Sequence, residues 1–489
     1  MRITLVLLFL PALVLGQQEI ERRSIHQLES ELHQNDMVSD APEHQNARPG
    51  IPRLAQVSQL SKKVYGWHPY WASSSAYVTY DYAALTHIAH FSYETDTATG
   101  GYLTTRGWET SPVIDYAHQQ GVKVTLTVTN FGLDRNDKLL SDTVKQQRMI
   151  NTLIALLKMR NGDGVNFDLE SVRSTQRSNL VSFMRRAATR IKAQVPEAEI
   201  SMATPSVDWS GSWDFAQLAE ICDYLVVMGY GYYYSESTTA GPVAPLEGEN
   251  YNITRTINTY LGLGVPHAKL LLGVPWYGYD WPVQSSVRKS PATGTASSRT
   301  YAVAEQMASL YRKTLDVLTK VPWFSYQGSS GWRQVWYDDT ASLAAKYALV
   351  NSRALGGIGI WALSYDGARK EIWNGIKSAF STTGVEQGMD LARRFELSQN
   401  YPNPFNPSTS FEFRVPSFSA KGGSASGGEF VSLKVLDVLG RVVATPVNEY
   451  RQPGHHSIRW NASGLPSGVY FYRMQVGVFV ETRKMILSK

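Results

Sequence analysis

The order of the predicted elements constrains the fold more than any other feature of this chain. Short β-type runs alternate with helical stretches, which is the pattern of a parallel α/β fold. Helices fit between the runs, for example Gln147–Met159 before the fourth run and Leu180–Val195 after it. Eight such units predict a closed (β/α)8 barrel. The predicted strands are Val64–Trp67, His87–Ser92, Lys123–Val128, Gly164–Glu170, Glu199–Thr204, Tyr224–Tyr230, Lys269–Trp276 and Gly357–Leu363.

Composition divides residues 1–383 into three predicted segments. Arg2 and the apolar run after it predict a signal peptide over residues 1–16, which is too short to span a membrane. Residues 17–62 are polar and are predicted to be a flexible leader or propeptide. The barrel is predicted over residues 63–383, with a small inserted lobe at 282–337, because that interval is too long for a simple connection.

A second domain is predicted at the carboxyl end. After a linker at 384–396, glycine, serine and proline punctuate short β-runs over residues 397–489. This texture predicts a small all-β sandwich, with a Gly/Ser-rich loop at Ser417–Gly428. The predicted strands here are Ser410–Val415, Val431–Val435, His456–Trp460 and Gly468–Gln475.

Composition excludes several classes of protein. The chain has 489 residues, with 43% hydrophobic and 18% charged residues, as in a globular protein of about two or three domains. Cys222 is the single cysteine, so no disulfide can form within the chain. The formal charge of +5 is small for this length and comes without a long basic block, so a nucleic-acid partner is not predicted.

The segment DGVNFDLE, residues 163–170, predicts the functional site. On a strand, Asn166, Asp168 and Glu170 point to one face, while the apolar residues between them point to the other. Burying three polar groups without partners is costly, so this face predicts the wall of a polar cavity and a glycosidase acid. An exposed edge strand with solvated carboxylates is the alternative interpretation.

This segment resembles the Asp-Gly-x-Asp-x-Asp-x-Glu signature of glycoside hydrolase family 18, the chitinase-like (β/α)8 barrels. Asn166 stands where many chitinases have the middle Asp, as in the chitobiase-like and spore-cortex-lytic branches. The resemblance covers about residues 63–380. Further matching segments are YGWHPYW at 65–71, LTHI at 85–88, 223–230, GVPWYG at 273–278 and GGIGIWALSYD at 356–366.

The resemblance implies roles for individual residues. Glu170 is expected to protonate the leaving oxygen and then activate water, while Asp168 holds the acetamide N–H of the substrate. Tyr230 is expected to hold the acetamide carbonyl, and Trp361 to form the floor under the reacting sugar. The other predicted substrate-binding residues are Asp163, Asn166, Trp67, Tyr70, Met228, Trp276 and Tyr277. For the aromatic residues, packing in the core is the competing interpretation.

In this family the sugar's own acetamide oxygen is the nucleophile, so a retaining mechanism with one protein acid and no metal or organic cofactor is implied. Because Asn166 removes one negative charge near Asp168, we expect an altered pH dependence rather than inactivity. His87 and His90 are expected to be structural rather than metal ligands.

The chain also departs from the family pattern. TVTN at 127–130 replaces a common Ser-x-Gly-Gly turn, and Gly231 follows Tyr230 where an Asp is common. Tyr232, Tyr233 and Tyr234 form either a sugar-facing rim or an exposed aromatic loop. Asn166, Gly231 and the altered third strand favour the alternative of a catalytically weak, lectin-like glycan-binding protein, whereas the retained Glu170 favours an enzyme.

Three segments near the carboxyl end resemble the type A sorting domain of the bacterial type IX secretion system. They are LSQNYPNPFNP at 397–407, VLDVLGR at 435–441 and LPSGVYFY at 465–472. The resemblance implies export through the outer-membrane secretion machinery, to the cell surface or the medium. The predicted substrate is a β-1,4-linked glycan containing N-acetylglucosamine, such as a chitin oligosaccharide, peptidoglycan or an N-glycan core. A surface adhesion protein is a further alternative, resting on this domain alone.

Overall fold

The computed structural model describes residues 23–36, 49–54, 60–381, 396–415, 429–452, 454–476 and 479–489. The predicted signal peptide and the loop at 417–428 lie outside these ranges. The chain forms two compact units, Met1–Phe380 and Ser381–Lys489. No helix in the described ranges is long and apolar enough to cross a membrane.

The first unit contains a closed barrel of parallel strands. Its strands and those of the insertion are β1 (Lys63–Pro69), β2 (His87–Asp96), β3 (Gly101–Thr104), β4 (Lys123–Phe131), β5 (Gly164–Glu170), β6 (Glu199–Thr204), β7 (Tyr224–Val227), β8 (Leu270–Pro275), β9 (Tyr277–Pro282), β10 (Ser297–Thr300), β11 (Thr314–Asp316), β12 (Val321–Gly328), β13 (Gly331–Tyr337) and β14 (Gly357–Trp361). The sheet runs β1-β14-β8-β7-β6-β5-β4-β2, and β2 pairs again with β1. This closure confirms the predicted barrel.

The helices of this unit mostly surround the barrel. They are α1 (Ile25–Leu32), α2 (Pro112–Gln119), α3 (Leu133–Leu140), α4 (Thr143–Arg160), α5 (Arg177–Gln194), α6 (Phe215–Ile221), α7 (Ile253–Gly262), α8 (Tyr301–Tyr311), α9 (Thr340–Ser352) and α10 (Lys370–Phe380). Helix α1 instead contacts the mouth of the barrel, and α8 packs on the insertion. Short 3-10 turns lie at Ala76–Thr79, Tyr82–Ala84, Ser174–Gln176 and His267–Lys269. The two helices predicted around β5 are present as α4 and α5, each a few residues longer than predicted at its amino end.

The barrel strands are buried on both faces, as parallel sheets covered by helices are. Every residue of β5 is buried. Phe167 packs against Phe183 of α5, with 5.5 Å between ring centroids, so the apolar face of β5 points outward to the helices. Asn166, Asp168 and Glu170 therefore point inward, as the alternation predicts.

The insertion between β8 and β14 is an antiparallel sheet with α8 beside it. Its strand order is β10-β9-β13-β12-β11. It begins at Tyr277, directly after β8, and so includes five residues that precede the predicted interval. Asp280 is fully buried in this sheet and forms ion pairs with Arg299 and Arg333, at 2.8 Å each.

The second unit is all β. Its strands are β15 (Glu396–Leu397), β16 (Ser408–Val415), β17 (Glu429–Leu436), β18 (Val442–Arg451), β19 (Gly454–Asn461), β20 (Gly468–Val476) and β21 (Phe479–Leu487). They form a sheet β15-β16-β19 and a sheet β18-β17-β20-β21. Phe411, Leu433, Tyr472 and Met474 lie in one buried apolar cluster. The predicted small β-sandwich is confirmed.

Candidate active site

Asn166 is held on the inner wall of the barrel by two neighbouring strands. Its amide nitrogen donates to the hydroxyl of Ser201 on β6, at 2.9 Å, and its amide oxygen accepts from the indole N–H of Trp67 on β1, at 3.2 Å. Both partners fix the orientation of the amide. An aspartate could accept from both groups but could not donate to the Ser201 oxygen.

Asp168 and Glu170 follow on the same wall, and each contacts the leader. Nδ1 of His26 lies 2.7 Å from Oδ2 of Asp168 and donates to it, and the same nitrogen lies 3.5 Å from Oε1 of Glu170. The hydroxyl of Ser24 donates to Oε1 of Glu170 at 2.7 Å. Oδ1 of Asp168 is buried and has no hydrogen-bond partner among the described residues. One carboxylate oxygen is therefore available to a further donor.

The imidazole of His26 is enclosed by the predicted site residues. Its Nε2 lies 2.9 Å from the hydroxyl of Tyr230, which is three residues beyond the end of β7. Its ring is stacked on Trp361 of β14, with 3.8 Å between centroids and 29° between planes. The Trp67 ring lies 5.7 Å away. Asp168, Tyr230, Trp361 and Trp67 thus surround one small planar ring.

A second buried acid, Glu29, enters the site from the leader helix α1. Its Oε2 accepts from the indole N–H of Trp361 at 2.9 Å and from the hydroxyl of Tyr365 at 2.7 Å. Burial raises the pKa of Glu29 to about 7, against the opposing effect of these two hydrogen bonds.

Electrostatics separate Glu170 from an ordinary carboxyl. Burial, and next the negative charge of Asp168, raise the pKa of Glu170 to about 8. Burial lowers the pKa of His26, but the charge of Asp168 and its hydrogen bond, with Glu170 and Glu29, outweigh burial and raise it. The arrangement favours a protonated Glu170 at neutral pH, which is the state that a general acid requires.

A cavity of about 750 Å³ opens beside Glu170. It is lined by predicted residues Met228, Tyr230 and Tyr277, and also by Trp209 and Tyr234. Of the three consecutive tyrosines, Tyr234 alone is in this lining. The hydroxyl of Tyr232 instead pairs with Thr256, and that of Tyr233 donates to Glu249.

Two predicted substrate-binding residues lie away from the acid pair. Asp163 is seven residues before Glu170 on an extended strand, about 23 Å away. It accepts from His118, at 2.9 Å, and from the backbone N–H of Val124, so it fastens the amino end of β5. Trp276 is fully buried against Trp373 of α10, with centroids 4.8 Å apart, on the helix side of the sheet. Neither residue is part of the cavity lining.

Tyr70 lies at the edge of the site. Its hydroxyl donates to the carbonyl of Ser30 in α1 at 3.4 Å, and the guanidinium of Arg106 lies 3.9 Å from its ring centroid. His87 pairs with Glu199 at 2.7 Å and His90 lies 3.1 Å from the Arg106 carbonyl, so both are buried structural histidines, as predicted.

His26, Asp168 and Glu170 are the one group of possible metal ligands in the described ranges, with ligand atoms within 4.8 Å of one another. His26 and Asp168 already bond directly at 2.7 Å. A cation would have to separate these two atoms, so the geometry fits a hydrogen bond better than a shared metal.

Residues 64–366 match the model of the glycosyl hydrolases family 18, over more than half of the chain. The chain belongs to this family. Residues 399–488 match the secretion system C-terminal sorting domain. The family 18 barrel is therefore delivered by type IX secretion to the cell surface or the extracellular space.

The family 18 chain is similar to di-N-acetylchitobiases and to cortical fragment-lytic enzymes. It is 27% identical over 336 residues to human di-N-acetylchitobiase, covering 61% of this chain and 80% of that protein. It is 24% identical over 291 residues to a cortical fragment-lytic enzyme of Bacillus anthracis, covering 57% of this chain and 65% of that protein. The chain thus spans under two thirds of the cortical enzyme's length.

The fold of the family 18 unit is also that of solved structures. A chitinase of the cycad Cycas revoluta, in complex with (GlcNAc)3, superposes with a TM-score of 0.59 at 19% identity. The superposition covers 65% of this chain and 99% of that one. At this identity the likeness shows the barrel fold alone.

Sequence reasoning missed the contribution of the leader to the family 18 site. Ser24, His26 and Glu29 reach the site from α1, which the sequence leaves within a polar leader. One local signal is present: Ser24-x-x-Gln27 is the capping-box pattern, and the Ser24 hydroxyl accepts from the Gln27 N–H at 3.0 Å. That pattern locates the start of a helix but not the surface to which it binds.

Proposed function

We propose that the protein is an exported glycoside hydrolase that cleaves β-1,4 bonds next to N-acetylglucosamine by a retaining, substrate-assisted mechanism. One observation carries the proposal. Asp168, Tyr230 and Trp361 hold the planar ring of His26 beside Glu170, with Nδ1 of the ring donating to Asp168 and Nε2 in contact with the Tyr230 hydroxyl. A 2-acetamido group offers the same pair of partners, an N–H and a carbonyl oxygen.

In the first step, Glu170 donates its proton to the glycosidic oxygen as the bond to the anomeric carbon breaks. The acetamide oxygen of the same sugar bonds to the anomeric carbon and forms an oxazolinium ion. Asp168 accepts the acetamide N–H and its negative charge stabilises the cation. The Tyr230 hydroxyl orients the acetamide oxygen, and Trp361 supports the sugar face.

In the second step, Glu170 acts as a base. It is now a carboxylate, and it takes a proton from a water molecule as that oxygen attacks the anomeric carbon. The bond to the acetamide oxygen breaks, and the acetamide is restored. Two displacements at one carbon leave the anomeric configuration unchanged, and Glu170 is protonated again.

The relatives support the substrate class. One is named for chitobiose, a second for fragments of spore cortex, and the Cycas chitinase was solved with an N-acetylglucosamine trimer. We propose glycans of N-acetylglucosamine, either chitin oligosaccharides or peptidoglycan, as substrates. The outer-membrane secretion machinery is the proposed partner of the C-terminal unit.

The direct test is Glu170→Gln in a full-length chain whose leader contacts with the site are removed by Ser24→Ala, His26→Ala and Glu29→Ala. Gln keeps the size of the side chain but cannot donate a carboxyl proton, so we expect turnover of N-acetylglucosamine oligomers or peptidoglycan to fall about 10²–10⁴-fold. Oligomer binding, measured by tryptophan fluorescence, should be retained. Equal turnover in both proteins would exclude Glu170 as the acid.

A lectin-like function is the second candidate, and Gly231 is the observation that favours it. Gly231 lines the cavity with a φ of +74°, and a Cβ built there would have no neighbour within 4 Å. The hydrogen bond that an aspartate commonly provides at this position is therefore missing. This candidate would be supported if the chain binds oligomers but does not cleave them, whether or not the leader contacts the site.

A further inference from the structure

We infer that the leader segment, residues 23–36, is a built-in inhibitor that occupies the substrate-binding site of this chain. The inference rests on the proposed function of the same site. It assigns to the cleft a second ligand, a short helical peptide that the chain carries itself.

Steric exclusion is the first argument. His26 is fully buried and its ring lies 3.8 Å from that of Trp361, nearly parallel to it. A sugar ring that stacks on the same face of Trp361 would overlap the imidazole. The leader and a glycan therefore cannot occupy this position together.

Chemical mimicry is the second argument. The imidazole donates to Asp168 and contacts Tyr230. The Ser24 oxygen lies 2.7 Å from Oε1 of Glu170, in the place where a glycosidic oxygen would accept the carboxyl proton. Glu29 takes the two donors of Trp361 and Tyr365. Ser24, His26 and Glu29 thus bond to polar side chains on the wall of the proposed substrate site, while Oδ1 of Asp168 has no partner among the described residues.

The third argument is that the leader is fastened at both ends across the cleft. Before α1, Arg23 forms an ion pair with Glu236 at 2.8 Å. After α1, the His33 ring is stacked on Trp71 with centroids 4.9 Å apart. The Gln34 carbonyl accepts from both terminal nitrogens of Arg106, at 3.2 Å each.

Covalent attachment strengthens the inhibition. A tethered segment competes with free substrate at an effective concentration of roughly millimolar. We therefore expect the intact chain to be latent and to become active when the leader is displaced or removed, which suits an enzyme that must leave the cell before it acts on glycans.

The test is a triple variant of the full chain, Ser24→Ala, His26→Ala and Glu29→Ala, with Leu32→Ala as the matched control. Leu32 lies on the same helix but is 71% exposed. We expect kcat/KM on N-acetylglucosamine oligomers to rise about tenfold or more in the triple variant and to stay unchanged in the control. A gain of activity cannot result from misfolding.

A synthetic peptide of residues 23–36 supplies the second arm. Added to the triple variant, it should raise KM and leave kcat unchanged, whereas the same peptide with Ala at position 26 should not inhibit. If the intact chain and the triple variant turn over oligomers equally, and the peptide does not inhibit, the inference is overturned while the proposed function stands.

Binding separates failure of the inference from failure of the proposed function. If no form of the chain hydrolyses a glycan, a labelled peptide of residues 23–36 is titrated against the triple variant. Binding that N-acetylglucosamine oligomers displace would support the leader as the ligand of this cleft without catalysis. Absence of binding would overturn the inference.

Discussion

At the scale of residues, position on one strand separates two kinds of carboxylate. Asp163 and Glu170 stand at opposite ends of β5, and their surroundings give them opposite roles. Asp163 is held by His118 and a backbone N–H, and its pKa is lowered because these donors outweigh burial. Glu170 is buried beside a second negative charge, so its pKa rises. The first acid is structural, and the second can hold a proton at neutral pH.

The raised pKa of Glu170 predicts the direction in which kcat changes with pH. The pH dependence of kcat reports ionisations in the enzyme–substrate complex, in which a bound sugar excludes water as His26 does here. Glu170 must be protonated to act, so kcat should be lost as pH rises through the raised pKa of Glu170. In Asp168→Asn the neighbouring charge is absent, so this alkaline limb should move to lower pH.

The measurement is kcat against pH for the leader triple variant, with and without Asp168→Asn. Asp168→Asn also lowers kcat itself, but the pH at which the alkaline limb lies does not depend on the size of kcat. An alkaline limb at the same pH in both proteins would contradict the coupling between Asp168 and Glu170.

Asn166 shows how far the sequence could be interpreted at this scale. Its inward direction followed from the alternation of the strand, because the period of a strand fixes which side chains share a face. Its partners, Trp67 and Ser201, come from two other strands and could not be predicted from local pattern. The expected effect of Asn166 on pH dependence stays a prediction.

At the scale of elements, one partly buried ion cluster joins four barrel strands at the end opposite the site. Glu199, at the start of β6, accepts from His87 of β2 at 2.7 Å and from Lys123 of β4 at 2.5 Å, and Lys63 of β1 lies 3.5 Å away. These partners outweigh burial and hold the pKa of Glu199 far below its usual value.

We predict that Glu199→Gln lowers the free energy of unfolding by about 2 kcal/mol at pH 7, since a partly buried charge cluster loses its only anion. A lowered carboxyl pKa contributes stability above the unfolded-state pKa, and that stability is lost as pH falls. The difference between the two proteins should therefore shrink below about pH 4.5. Urea unfolding at pH 7 and pH 3 measures it, and an equal difference at both values would contradict this account.

The properties of individual strands and helices also explain why the sequence did not predict that the leader binds the site. Barrel strands carry long apolar runs, and their spacing predicted all eight. The helix α1 has eight residues, of which five are polar, so its stability comes from the site it contacts rather than from its own pattern. Trp276, between β8 and β9, was predicted to bind substrate but lies on the helix side of the sheet. Where both faces of a sheet are covered, the sequence pattern does not show which face an aromatic side chain occupies.

At the scale of the whole molecule, the two units carry separate tasks. The family 18 unit holds the complete acid site, and the C-terminal unit has its own apolar core and matches a sorting domain. Both architectures were predicted from the sequence, because repeated β/α alternation and turn-rich β-runs are properties of long segments. The leader's docking depends on contacts between distant residues, such as His26 and Tyr230, and only the structure shows them.

The stereochemistry of cleavage tests the central claim most directly. The leader triple variant is mixed with an N-acetylglucosamine oligomer, and the anomeric protons of the new reducing end are followed by NMR from the first turnovers. A nucleophile supplied by the substrate predicts that the β-anomer appears first and that the α-anomer follows by mutarotation. If the α-anomer appears first, or no bond is cleaved, the assignment of Glu170, Asp168 and Tyr230 to a substrate-assisted glycosidase is contradicted.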